Sequence, residues 1–126
     1  MAYAKDYNDL EVYQKSRILS KTIFEITSNF PKEEKYSLVD QIRRSSRSVG
    51  AQIAEAWGKR RYNKHFVLKL TDSHAEQLET QHWIDISLEC SYINKTEHES
   101  LTELCASIGR MLYSMIEKSD SFCQHI

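Results

Sequence analysis

Apolar side chains recur along this chain at helical spacing. In LEVYQKSRILSKTIFEITSNF, Val12, Leu19, Ile23, Ile26 and Phe30 follow one another at steps of seven, four, three and four. That spacing lines one face of a helix. Asn8 or Asp9 is placed to cap its start. Pro31 predicts its end, because the residue before a proline is pushed out of helical geometry. Proline also suits the first turn of the next helix, with Glu33 and Glu34 beside the positive end of the dipole. Leu38, Ile42, Val49, Ile53 and Trp57 give that second helix its stripe, and Ser45 or Ser46 spans the long gap. Gly58 marks its C-terminal stop.

Asn63 is the expected cap of a third helix, whose stripe reads Phe66, Leu70, Ser73, Gln77, Ile84 and Leu88. The middle of that stripe is polar. Ser73, Glu76, Gln77 and Gln81 need partners if they are enclosed, and Gln41, Ser45, Ser46 and the nearby arginines of the second helix are available. A hydrogen-bonded polar layer between the second and third helices is therefore expected. Asn94 or Thr96 opens a fourth helix, Thr96 and Glu99 matching a capping box, with Leu101, Leu104, Ile108, Met111 and Met115 as its stripe. Residues 123–126 are expected to fray. The predicted helices span about 9–29, 32–57, 63–92 and 96–118. With short links, they predict an all-α fold over residues 1–126, one antiparallel up-down-up-down four-helix bundle about 35–45 Å long.

Composition agrees. One proline and three glycines in 126 residues are few for a turn-rich β fold. No apolar run reaches the roughly 18 residues of a membrane helix, so no membrane partner is expected. The N-terminal MAYAKDYNDLEVY has no apolar signal core. Cys90, Cys105 and Cys123 are odd in number and lack C-x-x-C spacing, which predicts reduced thiols in a cytoplasm, with Cys90 and Cys105 buried.

Charge changes the picture. The net charge is −1. Yet residues 43–64 carry seven bases (Arg43, Arg44, Arg47, Lys59, Arg60, Arg61 and Lys64) against Glu55 alone. A basic patch on an acidic body is a statement about partners.

Catalytic and metal readings find little. Glu79-Thr80-Gln81-His82 is an E-x-x-H sequence, but a di-iron bundle needs it on two helices plus two further glutamates. Adjacent Ser73 and His74 point in different directions on a helix. The isolated glycines make no phosphate loop. No enzymatic activity, cofactor or metal is predicted.

Several stretches together carry a family likeness. DLEVYQKS opens the first helix. FPKEEKYSLVDQIRRSSRSVGAQIAEAWGKR follows, with its Phe-Pro, Gln-x-Arg-Arg and Ile-Ala-Glu. Phe66, Leu70, Ser73 and Glu76 precede ETQHWID and CSYI. Over residues 9–116 the chain resembles the four-helix bundle proteins encoded in 23S ribosomal RNA intervening sequences, the S23 family. That family is related to the accessory variability protein of diversity-generating retroelements. Ala56 stands where the family usually has glycine, which moves the tight exit from the second helix to Gly58. The resemblance implies a ring, commonly a homopentamer. It also implies possible RNA or DNA binding and a possible protein partner such as a reverse transcriptase. For most members it implies no known biochemical activity.

Two readings of the basic patch follow. In one, Lys59, Arg60, Arg61 and Lys64 form an exposed nucleic-acid site, with Tyr62 and His65 interleaved to stack on unpaired bases. In the other, the chain is an interaction scaffold whose basic residues serve subunit contacts, with Ser48, Gly50, Ala51 and Ala54 allowing close approach. In both, Arg43, Arg44 and Arg47 are expected to reach a polar network of Ser73, Glu76, Glu79 and Glu55, Glu55 pairing with an arginine. If such a pair is buried, breaking it costs about 3–5 kcal/mol.

Overall fold

A computed structural model describes residues 4–123. Its long helices are α1 (Glu11–Thr27), α2 (Leu38–Gly58), α3 (Asn63–Glu89) and α4 (Lys95–Glu117), followed by a short α5 (Ser119–Cys123). Single helical turns at Tyr7–Asp9 and Lys32–Glu34 precede α1 and α2. Each long helix packs on its sequence neighbour, and α1 closes the square against α4. The fold is an all-α antiparallel four-helix bundle, about 40 Å long at 1.5 Å per residue of α3. Of residues 123–126, expected to fray, Cys123 is the last residue of α5, and 124–126 lie outside the described residues.

One apolar cluster fills the interior. Leu19, Ile23, Ile42, Val49, Ile53, Phe66, Leu70, Ile84, Ile108 and Leu112 are all essentially inaccessible. Each such large side chain contributes about 1.5–3 kcal/mol by leaving water. Trp57, Leu88, Leu104 and Met111 sit at the edge, half-buried. Cys105 is buried as expected, whereas Cys90 is exposed, because it follows the last residue of α3 and faces out of the turn.

The helix ends depart from expectation in physically readable ways. Leu10 occupies the cap position of α1 and makes no side-chain cap bond, so neither Asn8 nor Asp9 caps that helix. Asp6 caps the single turn Tyr7–Asp9 before it. Its side chain accepts from the Asn8 amide at 2.6 Å, while Asp9 reaches back to the Asp6 amide. The second helix begins at Leu38, six residues later than predicted. The Pro31–Glu34 segment instead closes a tight turn, with the Glu34 amide on the Pro31 carbonyl at 3.0 Å. Tertiary contacts hold it there: Phe30 lies 5.1 Å from the Tyr92 ring, and the Tyr92 hydroxyl donates to Glu34 at 2.7 Å. That bond pushes the Tyr92 pKa up to about 12.

At α3, Tyr62 occupies the cap position. Asn63 donates across the bundle end to Ser119 Oγ and Asp120 Oδ1. At α4 the capping box is Asn94 with Glu97, not Thr96 with Glu99. The α3–α4 turn is a Schellman closure: the Tyr92 amide reaches the Ser87 carbonyl and the Ser91 amide reaches Leu88, both at 2.9 Å. Its left-handed position is filled by Ser91, at φ 62°. Gly58 is the last residue of α2, one beyond the predicted end, with Lys59 at the cap; it does not take the left-handed conformation of a glycine stop.

Candidate nucleic-acid interface and the polar layer behind it

Antiparallel packing sets α2 against α3 so that their polar positions meet. Ser73 Oγ donates to the Val49 carbonyl at 2.8 Å, and Thr80 Oγ1 to Ser45 Oγ at 2.9 Å; all four residues are fully buried. Each such hydroxyl bond contributes about 1 kcal/mol net, and an unmade one would cost more. Among the described residues no buried side-chain nitrogen or oxygen lacks a partner. The expected polar layer is present in part: Ser45 takes part, whereas Gln41 is exposed and Ser46 donates to the Arg43 carbonyl of its own helix, and two of the α3 members turn elsewhere. Gln81 turns to α4, donating to Thr102 at 3.2 Å. Gln77 also faces α4, its Oε1 lying 2.9 Å from where a Cβ on Gly109 would stand.

Arg44 forks across two carboxylates of α3. Its Nη1 meets Glu76 at 3.1 Å and its Nη2 meets Glu79 at 2.7 Å. Glu79 also accepts from Trp83 Nε1 at 3.0 Å. That indole bond first, and Arg44 after it, hold the Glu79 carboxyl below its ordinary range against the opposing effect of desolvation. The Arg44 guanidinium is correspondingly held above its ordinary value, chiefly by Glu79 and Glu76. Arg44 remains half exposed, at 50% of its side-chain surface. This is a surface clamp and not a buried pair.

The other arginines of α2 find different neighbours. Arg43 donates to Thr27 Oγ1 at 2.9 Å and to the Phe24 carbonyl on α1. Its guanidinium lies over the Phe24 ring at 4.5 Å, and that of Arg47 lies over the same ring at 5.7 Å. Neither reaches Ser73, Glu76 or Glu79. Both project from the side of α2 that faces α1, whereas Arg44 sits on the α3 side. Glu55 pairs with Lys69 at 3.4 Å and not with an arginine. Arg47 is two helical turns away, about 12 Å along the axis, while Lys69 lies directly across on α3. Lys69 also donates to Gln52 at 3.1 Å.

Lys59, Arg60, Arg61 and Lys64 occupy the α2–α3 turn at one end of the bundle. Lys59, Arg61 and Lys64 are exposed and have no ion pair with a described residue. Arg60 behaves differently. Its guanidinium lies 3.6 Å from the centre of the Trp57 ring, and its Nε donates to the Trp57 carbonyl at 2.9 Å. Tyr62 is 59% exposed and tilts against His65, with ring centres 5.5 Å apart. Packing of Phe122 on Phe66 brings α5 to this end, with Asp120 held by Asn63.

Residues placed in the E-x-x-H sequence are accounted for elsewhere. Glu79 is in the Arg44 clamp, and His82 lies edge-on to Trp83 at 4.6 Å. Among the described residues no group of three or more His, Cys, Asp or Glu side chains is arranged to hold a metal ion. No described helix is long and apolar enough to cross a membrane. Sequence reading missed the Trp83–Glu79 bond, although its spacing of four residues was a usable signal. It also missed the Arg60–Trp57 stack and the role of Phe24, which have no such signal.

A four-helix bundle with a polar α2–α3 seam and a basic turn at one end is the class that these features define. The sequence model for the 23S rRNA-intervening sequence protein family matches residues 8–114, and the chain belongs to that family. A solved structure of a protein with unknown function from the S23 ribosomal protein family of Bacteroides thetaiotaomicron is similar. It shares 29% sequence identity at a TM-score of 0.75, over 83% of this chain and 97% of that one. No curated protein matches.

Proposed function

We propose that the protein is a non-enzymatic, oligomeric nucleic-acid-binding accessory subunit whose contact surface is the α2–α3 turn. The observation that carries this reading is the separation of the basic residues by environment. Arg43 and Arg44 are engaged within the bundle, whereas Lys59, Arg61 and Lys64 stand in solvent without a carboxylate partner among the described residues. Phosphate oxygens are the natural acceptors for such a cluster.

Assembly belongs to a different surface. Along α1 and α2, Ile18 and Phe24 are 56% and 46% exposed beside Arg17, Lys21 and Arg47. Further along the same groove lie the small residues Gly50, Ala51 and Ala54. An apolar strip with a basic rim suits an acidic surface of a second copy, and most of this chain's acids lie outside residues 43–64. A ring, as a pentamer would be, repeats the α2–α3 turn once per subunit, so weak sites add. The scaffold reading needs only this groove and not the turn.

Fluorescence anisotropy with labelled RNA at about 50 and 200 mM salt tests the proposal. Four phosphate contacts predict a loss of affinity of roughly 50- to 150-fold over that range. Replacing Lys59, Arg60, Arg61 and Lys64 together by Ala should abolish binding and leave the helix content and particle mass unchanged. Binding that survives this variant refutes the placement. Absence of binding at low salt to any RNA or DNA leaves the scaffold reading. Light scattering at micromolar concentration should give a multiple of 14.8 kDa, and a monomer mass would remove the oligomer from the proposal.

A further inference from the structure

We infer that the α2–α3 turn takes unpaired nucleotides in preference to duplex, with Tyr62 as the stacking surface. This rests on the proposal that the turn binds nucleic acid, and it names the form of nucleic acid.

The argument starts from what the turn offers besides charge. Tyr62 sits between Arg61 and Asn63 at the start of α3, 59% exposed. Its ring is tilted at 45° to His65, so the two rings make an open corner and not a closed stack. A base can lie on the free face of the phenol, because every base has a π-face and the contact requires no particular sequence.

Arg60 strengthens the assignment. Its guanidinium lies over the Trp57 ring, 3.6 Å from the ring centre, and is held there by the bond from Nε to the Trp57 carbonyl. That leaves it a planar, pre-positioned cation, suited to stack on a base or to fork onto one phosphate. Lys59, Arg61 and Lys64 then follow the backbone on either side. In a duplex the base faces are covered by their neighbours, so the aromatic corner would contribute nothing and only the phosphate contacts would remain.

Tyr62 can be changed without disturbing the fold. Its side chain makes no cap hydrogen bond to α3. The hydrogen bonds at this position, from the Tyr62 amide to Lys59 and from the Phe66 amide to Tyr62, are made by the backbone.

The experiment measures anisotropy for a labelled RNA without self-complementarity, free and annealed to its complement, at low and moderate salt. The proteins are wild type, Tyr62→Ala, Tyr62→Phe and the fourfold Ala variant. Wild type should bind the single strand more tightly than the duplex. Tyr62→Ala should weaken single-strand binding roughly five- to hundred-fold, with the duplex affinity and the salt slope unchanged. Tyr62→Phe should bind like wild type. Equal affinity for both forms, or an unchanged single-strand affinity for Tyr62→Ala, overturns the inference. If the fourfold variant still loses binding in that case, the charge-based reading stands by itself. No binding of either form by wild type overturns both.

Discussion

Gly50→Ala probes a close approach of α1 and α2. Gly50 is buried on the α1 side of α2, and a Cβ there would lie 2.8 Å from Ser16 Oγ. Ser16 is itself buried, with its hydroxyl donating to the Tyr13 carbonyl at 2.6 Å. Two effects oppose each other. Alanine in a helix interior is favoured over glycine by about 0.8–1.0 kcal/mol. Forcing a methyl group into a packed seam costs about 1–3 kcal/mol. Overlap at 2.8 Å with an anchored hydroxyl decides for the second, so Gly50→Ala should be destabilised by up to about 2 kcal/mol.

Removing the obstacle should reverse the sign. Ser16 Cβ lies 3.7 Å from the same point, an ordinary contact. In a Ser16→Ala background, Gly50→Ala should therefore gain about 1 kcal/mol. The double-mutant cycle then yields a coupling of about 1–3 kcal/mol. Urea denaturation followed by circular dichroism, at one fixed protein concentration, measures all four proteins. Additivity within about 0.5 kcal/mol, with Gly50→Ala stabilising in both backgrounds, would refute the close approach.

Arg44→Ala should cost about 1 kcal/mol, not the 3–5 kcal/mol of a buried pair, because the clamp is half exposed. Glu79 is held below its ordinary value of 4.5, so its contribution is present above that pH. It is lost as pH falls through the lower folded value. The gap between wild type and Arg44→Ala in urea melts should close in acid, and a gap independent of pH would contradict the assignment. Ser91→Gly should stabilise by about 0.5–1 kcal/mol, since a non-glycine residue at φ 62° carries a steric cost that glycine lacks; thermal melts check it. A thiol reagent should modify exposed Cys90 in the native protein. Cys105 is buried and its pKa is pushed up to about 12, first by desolvation and then by Asp85, so it should react only on unfolding. Mass spectrometry of digests distinguishes the two.

Four helices, their order and most of their interior residues were legible from local spacing. Hydrophobic period is a property of each segment, and burying four apolar stripes joined by short links allows few arrangements. Ser45, Ser46, Ser73 and Gln77 were readable as interior because a stripe passes through them. The basic α2–α3 turn was readable from composition. Tertiary structure decided what depends on a second segment. Leu68 and Leu78 are exposed while Thr80 and Ser87 are buried; Thr80 meets the Ser45 hydroxyl of α2, and Ser87 is satisfied by the Trp83 carbonyl of its own helix. Arg43, Arg44 and Arg47 look equivalent in the sequence. They part company because successive helix positions are about 100° apart, which sends Arg44 to the carboxylates of α3 and the other two to Phe24 of α1. The late start of α2 follows from Tyr92, some sixty residues away, taking hold of Glu34 and Phe30. Spacing within one segment tells which way a side chain points, but the neighbour it meets there belongs to another part of the chain.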